Sequence, residues 1–405
     1  MKIAIISHTF PKNKNNPTAA FLHAFVLGIK NAGGHPVVVV PYVKDLDTSD
    51  FPYEVNSYKY IWPSSLHKLG YSSTLKHGIL PFTTYLLIPF LLIFGFFRLL
   101  KYCRLKGIDI VSAHWLLPNG LIAAFVSKVT GIPFVVTLPG SDVYVAGMNG
   151  IFKILANFAI SQAAAVVADS PVFIDKVKKL GAKIKTSKII PYPVDVHKLK
   201  PSLKSSGKLK EKFGLDPDNI VILAVGRLVE KKGFRYLLKS MRNIIKKQKK
   251  VKLIIVGDGD LRLMLEELVI RENLKGYVIF AGSKNREEII SYYSLADIFV
   301  MPSVADEKGN IDDQPVALLE AMSCGLPIVA TNFPGISMTV EHNINGFLVP
   351  QKDVNKIEIA LMKLILSSEL REKMGSKSRE ISLKKLSIGT IGKEYINLFK
   401  KILTK

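Results

Sequence analysis

The stretch Ile220-Val221-Ile222-Leu223-Ala224-Val225-Gly226-Arg227-Leu228-Val229-Glu230-Lys231-Lys232-Gly233 decides how this chain reads. Its first six residues are apolar and suit a buried strand. A glycine then turns the chain, and Phe234 to Gln248 carries helical periodicity. Strand, short loop and helix make up the βα unit of a parallel sheet. Arg227 and Lys232 place two cations near the helix mouth, where backbone amides already favour anions. Arginine suits paired phosphate oxygens, and lysine supplies a mobile point charge. The same residues also suit a solvated strand-to-helix turn, so the loop alone leaves phosphate binding open.

The rhythm extends in both directions. Downstream, strands are expected at Lys252 to Val256, Val278 to Ala281, Ile298 to Met301, Ile328 to Ala330 and Phe347 to Val349, with helices at Leu261 to Asn273 and Pro315 to Cys324. Upstream, Lys2 to Ser7, Val37 to Pro41, Ile108 to Ala113, Phe134 to Thr137, Ala164 to Ala168 and Lys188 to Ile190 form a second series. Between the series, Pro191 to Gly214 has no period and reads as a linker. The chain of 405 residues is too long for one typical domain and suits two of about 200. The expected fold class is therefore α/β, with two tandem Rossmann-like doubly wound domains facing a cleft. The expected boundaries are 1–195, a linker at 196–215, a second domain at 216–375, and a helical segment at 376–405 that packs back on the first domain. Ligands of such sheets bind at the carboxyl ends of strands.

A second constellation runs Asp312-Asp313-Gln314-Pro315-Val316-Ala317-Leu318-Leu319-Glu320, ending in Cys324-Gly325. Pro315 suits a first helical residue and Gly325 a stop. Asp312 then lies just before the helix and Glu320 about a turn and a half inside it. Two such carboxylates can each accept hydrogen bonds from sugar hydroxyls, and the backbone amides at this helix start can meet a diphosphate from the side opposite Arg227. Asp312 as a helix-end charge and Glu320 as a buried, satisfied acid is the equally open alternative.

Composition bounds the function. Lys and Arg total 56 against 33 Asp and Glu, a formal charge of +23. Such a chain is drawn to anionic surfaces. The dense basic stretch Lys176 to Lys212 lacks the interleaved aromatics of a single-strand stacking surface, so no nucleic-acid partner is expected. Cys103 and Cys324 have no metal-type neighbour and fit a reducing cytoplasm. The apolar run at Met1 to Ile6 is too short for a signal peptide. Ile79 to Leu100 is apolar apart from Arg98 and is interrupted by Pro81, Pro89 and Gly95. A single span there would put strands of one sheet on opposite sides of a membrane. A helix or hairpin lying in the lipid interface is therefore preferred, with Lys101, Arg104 and Lys106 suited to anionic headgroups; a packing helix or a span stays open.

Taken together, Gly226-Arg227-Leu228 with Lys232-Gly233, Gly257-Asp258-Gly259, Met301-Pro302-Ser303, and Glu320-Ala321-Met322 with Gly325 and Pro327 resemble the family-4 retaining glycosyltransferases of the GT-B fold. The likeness covers about Val221 to Pro350. Phe10-Pro11, Gly33-Gly34-His35, Ala113-His114-Trp115 and Gly140-Ser141-Asp142 resemble a branch acting on cell-envelope polysaccharides of the teichuronic-acid type. The resemblance implies an acceptor domain first and a nucleotide-sugar donor domain second. Arg227 and Lys232 would bind donor diphosphate, Glu320 the ribose, and Asp312 the hexose, with Asp standing where the family has Glu. Gly226, Gly257, Gly259, Ser283, Pro315 and Val316 would line the donor site, and His114 and Asp142 the acceptor side. The acceptor would be a polysaccharide or lipid-linked, on the cytoplasmic face of an anionic membrane.

The downstream Gly-Gly-x-x-Glu of the family appears as Pro334-Gly335-Ile336-Ser337-Met338, without its acid, and the histidine before Gly-x-Asp is Pro139. Asp258-Gly259-Asp260 fits an Asp-x-Asp metal motif, but Arg227 and Lys232 can carry the charge that a metal would carry, so neither metal nor cofactor is called for. His114 at a strand end also suits a structural histidine. A sugar-nucleotide epimerase on the same scaffold, or a transferase-like binding subunit without activity, are the competing functions.

Overall fold

The computed structural model describes residues 1–16, 18–70, 84, 86–201 and 207–404. It divides into two units, Met1–Pro193 with Ile388–Lys405, and Val194–Ser387.

The first unit holds a seven-stranded sheet in the order β3-β2-β1-β4-β5-β6-β7. The strands are β1 (Lys2–Ile6), β2 (His35–Pro41), β3 (Glu54–Tyr58), β4 (Ile110–His114), β5 (Phe134–Leu138), β6 (Ala165–Ala168) and β7 (Ser187–Ile189). All pair in parallel. The apolar runs of β1, β2, β4, β5 and β6 are buried on both faces, as the inner part of a parallel sheet requires. One face packs on the helices Ile88–Lys106, Leu121–Thr130 and Gly150–Gln162. The other packs on Ala20–Asn31 and on the returning helix Ile388–Leu403. These last two helices cross where Gly28 meets Gly392. A Cβ on Gly28 would stand 2.7 Å from Ile388 O, and one on Gly392 would run into Gly28 O.

The second unit holds six parallel strands in the order β10-β9-β8-β11-β12-β13. They are β8 (Ile220–Val225), β9 (Val251–Val256), β10 (Val278–Gly282), β11 (Ile298–Met301), β12 (Ile328–Thr331) and β13 (Gly346–Val349). The helices Phe234–Lys247, Arg262–Arg271 and Val354–Leu366 cover one face. The strand order reverses between β8 and β11. That switch point opens a crevice at the carboxyl ends of both strands, which is where such sheets take ligands.

Every strand expected from the sequence is present, with ends within two residues. β3 is an addition. It is an edge strand whose only buried residues are Val55 and Tyr58, so its hydrophobic signal is weak. The unit boundaries fall at Pro193/Val194 and Ser387/Ile388, where the sequence pattern places a linker at 196–215 and a returning segment from 376. Arg379 is the physical reason. Its guanidinium donates to Leu199 O at 2.9 Å, Val196 O at 2.9 Å and Ser323 O at 2.7 Å, tying residues 196–199 to the second unit. Of the segment Ile79 to Leu100, residues 79–83 and 85 lie outside the described residues. From Ile88 the apolar segment is helix, and no described helix is long and apolar enough to cross a membrane.

Candidate functional site

Three sequence-expected groups meet at the switch point of the second unit. The loop after β8 carries Arg227, which is exposed, and a short 3-10 turn Glu230–Lys232 that brings Lys232 inward. Lys232 is 9% exposed, and its ammonium forms an ion pair with the half-buried carboxylate of Asp312. Burial acts to raise the Asp312 pKa, but Lys232, Lys231 and Arg227 outweigh it and hold the carboxyl below its ordinary range. Burial pulls the Lys231 pKa down, reinforced by Lys232 and Arg227 and opposed by Asp312. The cations outnumber the carboxylates here, which suits a multiply charged anion.

Glycines shape this corner. A Cβ on Gly257, after β9, would run into Gly226 O, and one on Gly259 would stand 2.7 Å from Leu228 O. The loops after β8 and β9 are thus packed backbone to backbone, joined by Leu228 N–H donating to Asp258 O at 2.9 Å. Gly257 N–H in turn donates to Gly282 O at 3.0 Å, next to the exposed Ser283. Gly257 and Gly259 therefore have a packing reason to be glycine, independent of any ligand.

The acidic segment leads into the helix Val316–Ser323. Pro315 is its cap, with ψ 126°, rather than its first helical residue; the extended ψ keeps it outside the helix. The amides of Val316 and Ala317 stand at the helix start, where no intrahelical acceptor exists. Asp313 anchors the approach by accepting from Gly335 N–H at 3.0 Å.

Glu320 is buried, and its two oxygens have separate partners. Arg286 Nη1 donates to Oε1 at 2.8 Å, and the Tyr293 hydroxyl donates to Oε2 at 2.9 Å. Burial raises the Tyr293 pKa well above its usual value, with Glu320 adding to the rise, so the hydroxyl stays a donor. Sequence reasoning missed both partners. Arg286 lies in the polar run Ser283-Lys284-Asn285-Arg286-Glu287-Glu288, where nothing marks it out, and Tyr293 reads as a core residue of the helix Glu288–Leu295.

Asp312 and Glu320, expected as a pair, are thus held in different ways, one by the loop lysine and one by Arg286 and Tyr293. Among the described residues no group of three or more His, Cys, Asp or Glu could hold a metal ion. Asp258 accepts from the neighbouring Gly259 N–H at 2.8 Å.

In the first unit, His114 ends β4 and is 1% exposed, with neither ring nitrogen hydrogen-bonded. Burial pushes its pKa down to about 3, and its ring packs edge-on against Phe25 at 4.4 Å. Asp142 is also buried and accepts from Leu116 N–H at 2.6 Å; burial pushes its pKa up to about 6. Both side chains lie below the surface of their unit, which favours structural parts for them.

The glycosyl transferases group 1 family matches residues 205–381. An uncharacterized glycosyltransferase, MJ1607 of Methanocaldococcus jannaschii, is 31% identical over 47% of this chain and 47% of its own. The putative teichuronic acid biosynthesis glycosyltransferase TuaC of Bacillus subtilis is 29% identical over 56% of this chain and 54% of its own. The chain thus spans about half the length of these curated relatives. Among solved structures, HepE of Anabaena in complex with UDP superposes over 99% of this chain and 100% of its own, with a TM-score of 0.76 and 20% identity, a likeness of fold. The match to the glycosyl transferases group 1 family thus falls within the second unit, and the chain has the two-unit GT-B fold.

Proposed function

We propose that this protein is a glycosyltransferase that moves a hexose from a nucleoside-diphosphate sugar to an acceptor hydroxyl, with retained anomeric configuration. The observation that carries this is the cation cluster of Arg227, Lys231 and Lys232 at the switch point, beside Asp312 and the start of the helix Val316–Ser323. A diphosphate placed there meets these three side-chain cations and backbone amides. As the bond to the sugar breaks, charge grows on the departing diphosphate, and fixed cations stabilise it without a bridging metal. The leaving phosphate accepts the acceptor's proton, so no protein nucleophile is required. Glu320 takes the ribose hydroxyls and Asp312 a hexose hydroxyl, for which Asp312 must share its contact with Lys232.

The teichuronic acid assignment of TuaC and the UDP complex of HepE support a nucleotide-sugar donor and a cell-envelope polysaccharide or glycolipid acceptor. We place the work at the inner face of the cell membrane, on the +23 charge and the apolar helix Ile88–Lys106. On the acceptor side, His114 and Asp142 shape the loops after β4 and β5 from within.

The test is product analysis across UDP, GDP and ADP hexoses with lipid-linked acceptors. The expected product keeps the donor's anomeric configuration by NMR. An inverted product would remove the retaining step. An epimerised donor formed without acceptor would replace transfer with epimerisation.

A further inference from the structure

The helices Ile88–Lys106, Leu121–Thr130 and Gly150–Gln162 lie side by side on one face of the first unit's sheet. Gly95 lets the first approach the second, since a Cβ there would stand 2.8 Å from Ile122 Cδ1. Phe125 of the second meets Phe158 of the third with ring centroids 5.4 Å apart. The first helix buries Leu91, Gly95, Leu99 and Cys103, one residue per turn. Its opposite stripe exposes Phe90, Ile93, Phe94 and Phe97, the last at 61%, and then Lys101 and Arg104. The exposed side continues with Phe125 and Val129 on the second helix and with Ile151 and Ile154, each about 70% exposed, on the third. Single exposed apolar side chains are ordinary; a run across three adjacent helices is not.

Charge identifies what covers this face. The three helices contain no Asp or Glu. Arg98 is turned to Asn56 and Lys106 to Glu54, while Lys101, Arg104, Lys128 and Lys153 are exposed among the apolar groups. Cations alone, interleaved with aromatic and aliphatic side chains, match a layer that is anionic at its surface and apolar just beneath. The buried stripe is part of the domain core, so the helix lies on such a layer and does not cross it.

We propose that this three-helix face docks on an anionic lipid bilayer, with Phe90, Phe94 and Phe97 entering the headgroup boundary and Lys101, Arg104, Lys128 and Lys153 facing lipid phosphates. The proposal rests on the membrane location given above and names the surface that makes it. The full chain is floated at low salt with vesicles of phosphatidylcholine alone or mixed with phosphatidylglycerol. Wild type floats with the mixed vesicles only. Phe94→Asp/Phe97→Asp and Lys101→Glu/Arg104→Glu each lower the bound fraction about tenfold or more, while melting at the wild-type temperature. The charge-reversed variant keeps the test alive should the phenylalanine variant misfold. Wild-type flotation that neither variant reduces overturns the face and leaves the membrane location standing. Failure of wild type to float overturns both. A dimer that Phe94→Asp/Phe97→Asp splits, with no flotation, assigns the face to a second copy of this chain and overturns the proposal.

Discussion

The Lys232 side chain lies across the backbone of Gly226: a methyl group there would stand 2.7 Å from Cε and 3.0 Å from Nζ of the lysine. The first residue of the loop therefore sets where its last cation can be. Gly226→Ala moves the flexible end of Lys232 and also strains a backbone whose φ of 157° L side chains rarely adopt, so a lower melting temperature is expected beside the loss of affinity. Nucleoside-diphosphate affinity is expected to fall about tenfold, the loss of roughly one charged hydrogen bond. Calorimetry alongside a melting curve checks this, and unchanged affinity would detach Lys232 from the ligand.

Arg227→Ala and Lys232→Ala are each expected to lower turnover about a hundredfold or more, because each removes a fixed charge from the departing diphosphate. Steady-state kinetics with a defined donor measures it. Wild-type turnover in both variants would end the site assignment.

Arg286 and Tyr293 fix the Glu320 carboxylate through contacts of 2.8 and 2.9 Å. Arg286→Ala is expected to weaken the nucleotide about tenfold, and Tyr293→Phe about threefold, in line with charged and neutral hydrogen bonds. A structural part alone would lower melting only. The distinguishing readout is preference for ribose over 2′-deoxyribose in the diphosphate, which should shrink in Arg286→Ala. An unchanged preference would separate Glu320 from the ribose.

Burial holds the His114 pKa at about 3 when folded. Unfolded, it binds its proton near the ordinary pKa of about 6.5. The folded pKa is the lower one, so this contribution to stability is complete above about pH 6.5 and is lost as pH falls toward 3. Asp142, raised to about 6, acts in the opposite sense: its stabilisation is present at low pH and lost as pH rises through about 6. Replacing His114 isolates one term. His114→Gln is expected to flatten stability against pH by about 1.4 kcal/mol per unit between pH 4 and 6. Parallel curves for variant and wild type would mean that His114 is not buried as neutral imidazole.

The strands of both sheets were legible because parallel strands are apolar on both faces, so Ile220 to Val225 or Val37 to Pro41 stand out as unbroken runs. Glu54 to Tyr58 did not, since an edge strand with two buried side chains has neither a run nor a clean alternation. The turn of the helix Ile388–Leu403 back to the first unit fits its amphipathic pattern, but the point of crossing depends on Gly28 and Gly392, which are far apart in sequence. Arg227, Lys232, Asp312 and Glu320 were named from two motifs of one domain, a basic loop and an acidic helix start, which the sheet order brings together after the neighbouring strands β8 and β11. Arg286 was not, because its place beside Glu320 comes from tertiary packing across a separation of 34 residues. The apolar segment before Lys101 gave the helix but not its neighbours, and the continuous face exists only once three helices are aligned.

If the cations after β8 hold a nucleoside diphosphate, their removal must appear directly in nucleotide affinity. Titration calorimetry of UDP, GDP and ADP against wild type and Arg227→Ala/Lys232→Ala tests it most directly. At least one of these should bind wild type saturably, and the double variant about a hundredfold or more weaker, as follows when two charged contacts to phosphate are lost. Equal binding to both proteins, or no binding of any of the three to wild type, would contradict it.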